Sequence, residues 1–112
     1  MEFEREPWEV KTERDWVVVA ISGRIDSFNQ DSFCGEVNKL VSEGKRRVAI
    51  DLSRAKFLSL PSIKWLTNLA FELKGKGGDL ALVAASEKLK RQIDIYATLD
   101  PIQVLRSKTE LA

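Results

Sequence analysis

The groups in this chain best suited to chemistry are serines at the start of a helix. In Ser53-Arg54-Ala55-Lys56-Phe57-Leu58-Ser59-Leu60-Pro61-Ser62, the hydroxyls of Ser59 and Ser62 flank a proline. Pro61 suits the first helical turn, where its missing N–H has no intrahelical partner, and Ser59 is a fitting N-cap. Helix N-termini carry free amides and positive partial charge that suit a phosphate or carboxylate. The plainer use of these residues is Ser59 as the cap and Ser62 as a first-turn residue. Other groups offer less. Histidine is absent and Cys34 is the single cysteine, which removes the commonest general base and leaves no set of zinc ligands. Asp26 and Asp51 read as turn and strand-end residues, with no nucleophile beside them. The basic, glycine-rich stretch from Lys74 to Gly78 lacks the spacing and the terminal serine or threonine of a phosphate loop. It follows a helix instead of opening one, and so reads as a C-cap. Cys34, in an apolar stretch, fits a small boundary residue better than a redox thiol. This inventory points away from an enzyme and predicts no metal and no cofactor.

The elements that position these residues follow from periodicity. Residues 1–7 show no period and form a lead-in to a first strand over 8–12. Arg14-Asp15 makes a turn, and the β-branched and aromatic run 16–21 is a strand buried on both faces that ends at Gly23. Phe33, Val37, Leu40 and Val41 lie on one helical face, with Asp31 or Ser32 as the cap and Gly44 as the stop. Val48, Ile50 and Leu52 alternate as a third strand, and 53–59 is read as a loop. In the second helix Ile63, Trp65, Leu66, Leu69, Ala70 and Leu73 share an inward arc. Leu60, Lys64, Thr67 and Phe71 recur on the opposite side, where a leucine and a phenylalanine suggest either a contact surface or sideways packing. A strand over 80–85, a helix over 87–99 with Leu89, Ile93 and Tyr96 or Ala97 inward, and a strand over 102–105 complete the pattern, with 107–112 as a tail or short terminal helix. Such alternation predicts one α/β domain over 1–112: a mixed, mostly parallel sheet of about five strands with crossover helices packed on it.

Composition agrees. The chain is 44% hydrophobic and 31% charged, enough for a core and a soluble surface, and its net charge of +1 gives no reason to expect nucleic acid. One cysteine, no leader and no apolar run near bilayer length predict a cytoplasmic chain without direct membrane insertion.

Four stretches together resemble the STAS domain family of anti-sigma-factor antagonists. They are Gly23-Arg24-Ile25-Asp26; Ile50-Asp51-Leu52-Ser53 followed by Phe57; Gly75-Lys76-Gly77-Gly78-Asp79-Leu80-Ala81-Leu82-Val83; and Leu99-Asp100-Pro101-Ile102. The resemblance spans about residues 8–106 and implies a non-enzymatic module of signal transduction and transcription regulation in a bacterium. Its partner would be a regulatory protein such as an anti-sigma factor or a kinase-like protein, captured through Phe57, Leu58, Ser59, Leu60, Ser62, Lys64 and Phe71. The family pattern at the helix start is Asp-Ser-Ser-Gly, whose first serine is phosphorylated by the partner kinase. Here Ser59, Leu60, Pro61 and Ser62 occupy those places, so the acceptor position is a leucine without a hydroxyl, and phosphorylation of Ser59 or Ser62 instead would need a different kinase geometry. The resemblance leaves open a small-molecule or nucleotide sensor, a subunit of a transporter-associated or stressosome-like complex, and a homodimer.

Overall fold

The computed structural model describes residues 7–96 and 102–111. Five strands form one sheet in the order β1 (Trp8–Glu13), β2 (Trp16–Ile25), β3 (Arg47–Leu58), β4 (Asp79–Val83) and β5 (Ile102–Leu105). β1 and β2 are an antiparallel hairpin, and every later pair is parallel. Parallel neighbours need crossovers, supplied by α1 (Gln30–Ser42), α2 (Leu60–Gly75) and α3 (Glu87–Tyr96). None of the helices among the described residues is long and apolar enough to cross a membrane.

Strand alternation divides the apolar side chains between two clusters. On one face Val19, Ile21, Val48, Ile50, Leu80 and Leu82 meet Phe33, Val37, Leu66, Leu73, Leu89 and Ile93 from the three helices. Trp65 and Leu40, expected inward, sit partly buried at the edge of this cluster. Across the sheet Trp16, Val18, Ala49, Ala81 and Val83 are covered by Leu111, which follows a 3-10 turn over Lys108–Glu110. That turn is tied down by Lys108 to Glu13 at 3.8 Å and to Asp51 at 3.9 Å, and by Arg14 Nη1 donating to the Leu111 carbonyl at 3.2 Å. Nothing in the tail's polar sequence announces this role for Leu111.

Several expected boundaries shift. β2 continues past Gly23 to Ile25, and the expected loop 53–59 is strand as far as Leu58. The cause is visible in the register: Ala20↔Asp51 is followed by Ser22↔Arg54, and Gly23↔Ala55 by Arg24↔Phe57. Each step inserts one extra residue into β3, a bulge that scrambles the period-2 pattern on which strand recognition depends. Gly23 takes φ +107, a conformation that L side chains rarely adopt, between the two irregularities. α1 starts at Gln30 with Asn29 as N-cap, ahead of Asp31 and Ser32, because the Asp26 carbonyl already accepts from the Asn29 and Gln30 amides. β4 ends at Val83, with Ala84 at φ 59 donating its N–H to Leu105 O. The expected helix residues 97–99 lie outside the described residues, as does the inward option Ala97.

Candidate functional site

The longest strand, β3, delivers its end to the site. Its last residue, Leu58, is buried against the helices, and Ser59 turns the chain into α2 with φ −65 and ψ 152. Ser59 N–H donates to Ile25 O at 2.8 Å, which locks the start of α2 to the end of β2. The cap forms as expected: Ser59 Oγ accepts from Ser62 N–H at 3.3 Å. Its own proton goes to Gln30 Oε1 at 2.6 Å, reaching α1. Ser62 Oγ donates to Ser59 O at 2.7 Å and lies 3.0 Å from Ser59 Oγ. Ser59 is 8% exposed and Ser62 0%, so both hydroxyls are enclosed and spoken for. Gln92 Nε2 donates to Leu58 O at 3.4 Å and adds α3 to the same frame.

Of the residues proposed from sequence for partner binding, Leu58, Ser59 and Ser62 are therefore internal. Phe57 and Leu60 are half-buried, Lys64 is exposed and Phe71 is 53% exposed. Leu60 and Phe71 are eleven residues apart on α2, about 16 Å along its axis at 1.5 Å per residue. Thr67, between them, bonds its hydroxyl to Ile63 O at 3.0 Å.

The structure adds a residue that periodicity did not find. Phe28 is 96% exposed, in the connection from β2 to α1. This loop is well tied: Asp26 Oδ1 accepts from Phe28 N–H at 3.0 Å, Asn29 Oδ1 accepts from Asp26 N–H at 2.8 Å, and Asn29 Nδ2 donates to Arg24 O at 3.0 Å. A fully solvated phenyl ring on a loop with so many bonds is held out by its backbone. The signal in the sequence was an aromatic among turn formers, Asp26-Ser27-Phe28-Asn29, where no core face could use it.

Asp26 and Asp51 act structurally. Asp51 Oδ1 accepts from Ser53 N–H at 3.0 Å beside the first bulge. Cys34 is half-buried on α1, and burial first, then the negative charge of Asp31, pushes its thiol up to about 11. A thiol so protonated is a poor nucleophile at neutral pH. No group of three or more metal-ligating residues occurs among the described residues.

The STAS domain model matches residues 7–111. Among curated proteins, BtrV of Bordetella bronchiseptica, named as a candidate anti-sigma factor antagonist, is 24% identical over 86% of this chain and 83% of its own. Among solved structures, a candidate anti-sigma factor antagonist from Thermotoga maritima superposes with a TM-score of 0.83 at 19% identity, covering 92% of this chain and 89% of that one. The Bacillus cell fate determinant SpoIIAA in its phosphorylated form superposes at 0.71 with 13% identity, over 92% and 94% of the two chains.

Proposed function

The chain belongs to the STAS domain family, and from that premise we propose that it is a non-enzymatic regulatory module that captures a protein of the anti-sigma-factor class. Docking runs through Phe57, Leu60, Lys64 and Phe71, joined by Phe28 from the adjoining loop. The observation that carries this reading is the pairing of a rigid hydroxyl network inside the α2 start with apolar side chains left outside it: Phe28 at 96% and Phe71 at 53% exposure. Aromatic anchors held in place before binding lose little conformational freedom on association and concentrate interface energy.

The same geometry supports the absence of a phosphorylation switch at this position. Leu60 has no hydroxyl to receive a phosphoryl group. Transfer to Ser59 or Ser62 would have to break the bonds to Gln30 Oε1 or to Ser59 O and open a closed first turn. The candidate antagonist BtrV and the phosphorylated SpoIIAA structure are the relatives that suggest the partner class. A cytoplasmic setting in a bacterium fits this reading.

The test is capture of a kinase-type anti-sigma protein from the host by the immobilised chain. Lys64→Glu combined with Phe71→Ser should abolish capture while stability changes by less than about 0.5 kcal/mol, the usual range for surface substitutions. Phe28→Ala should do the same from the other side of the site. Undiminished capture by both variants would refute the docking surface.

A further inference from the structure

The site is bordered by cations that no carboxylate among the described residues neutralises. Arg24, Arg54 and Lys56 lie on the bulged ends of β2 and β3, where Ser22↔Arg54 and Arg24↔Phe57 are neighbours in register. All three are exposed, and none makes an ion pair within 4 Å among the described residues. The guanidinium of Arg24 lies over the Phe57 ring, 4.4 Å from its centroid, a contact that orients the cation without cancelling its charge. The carboxylates nearby are otherwise engaged: Asp26 holds the Phe28 amide, Glu9 lies 4.0 Å from Lys11, and Glu13 and Asp51 both meet Lys108. Arg54 and Lys56 line a shallow depression with Ser22, Gly23, Ser53 and Ala55. Bulges commonly re-aim side chains beside functional sites, and here they turn two cations into one hollow.

We infer that this end of the sheet seats an acidic patch of the protein partner, with Arg24, Arg54 and Lys56 as its counter-charges. The inference rests on the docking reading above and adds the partner's chemistry to it. A protein surface fits better than a nucleic acid. The net charge of the chain is only +1, so no long-range field would gather a polyanion, and the one aromatic face in the cluster, Phe57, is already taken by Arg24. Lys45 and Arg46, at the opposite end of the sheet, are exposed and, among the described residues, have neither an ion pair nor an aromatic ring contact, so they serve as an internal control.

The experiment is an NMR titration of the 15N-labelled full chain with a hexaglutamate peptide, a hexalysine peptide and a single-stranded oligothymidylate. Hexaglutamate should move the amides of Gly23 to Ile25 and Arg54 to Phe57, and the shifts should fade between about 50 and about 300 mM salt, as screening shortens. Arg54→Glu with Lys56→Glu, which leaves the Arg24–Phe57 contact intact, should weaken the peptide's affinity about tenfold or more. Shifts centred on Lys45 and Arg46, shifts indifferent to the double reversal, or tighter binding of oligothymidylate would overturn the inference. Phe71→Ser separates the two readings: it should leave hexaglutamate binding unchanged, so if it also leaves capture of the anti-sigma protein intact, the docking surface on α2 falls while the acidic seat stands.

Discussion

The two ends of the parallel sheet are built from similar residues and put to different uses. Where the strands begin, charge is matched at short range: Arg47 lies 3.9 Å from Asp15 and 3.9 Å from Asp79, Lys74 is 3.0 Å from the same Asp79, and Arg47 also covers the Trp16 ring at 4.6 Å. The α2 terminus closes against this end, with Gly77 N–H donating to Lys74 O and Gly78 N–H to Leu73 O, while Asp79 N–H donates to Arg46 O. Where the strands finish, Arg24, Arg54, Lys56 and Lys64 have no ion-pair partner among the described residues, and Phe28 stands in solvent. Surface ion pairs contribute little stability, so the difference is one of availability more than of strength. Lys45 and Arg46 apart, the first end pairs its charges within the chain, whereas the other leaves them open to solvent.

The contrast can be broken most forcefully at the core both ends share. Leu66, 2% exposed on the inward face of α2, should cost roughly 2–5 kcal/mol when changed to alanine, the range for emptying a leucine site. A urea unfolding loss below about 0.5 kcal/mol, a surface-like value, would mean that α2 is turned the other way and its outward stripe is misassigned.

A smaller effect sharpens the account of the closed end. A Cβ on Gly78 would meet Arg46 O at 1.9 Å, a backbone atom that cannot step aside cheaply. Gly78→Ala should therefore destabilise the protein by roughly 1–3 kcal/mol, as overpacking does. Gly35, in the exposed face of α1 with nothing within 4 Å of its Cβ position, gives the opposite sign: Gly35→Ala should stabilise by about 0.5–1 kcal/mol through helix propensity. Equal melting shifts for the two variants would contradict the close approach.

The order of elements was legible because their apolar periods are strong. Phe33, Val37 and Val41 point inward from α1 and Leu66, Leu69, Ala70 and Leu73 from α2, as the helical spacing requires. The Ser59 cap was legible too, since a serine two residues before a proline has few other uses. What escaped was local geometry set by tertiary pairing. The two bulges hid the strand character of Arg54 to Leu58, because an extra residue moves every later side chain to the other face. Burial of the Ser59 and Ser62 hydroxyls depends on Gln30, distant in sequence and brought close only by the β2–β3 pairing. Phe28 belongs to no periodic pattern at all.

The measurement that tests the central claim most directly is the response of the complex to ATP. A kinase-type anti-sigma protein from the same host is mixed with this chain, with and without Mg-ATP, and followed by size-exclusion chromatography and intact-mass analysis, with Leu60→Ser run alongside. The account predicts that the native chain stays unphosphorylated and remains bound, whereas Leu60→Ser, with a hydroxyl restored at the first residue of α2, gains one phosphate and is released. A native chain that acquires a phosphate on Ser59 or Ser62 and leaves the complex would contradict it.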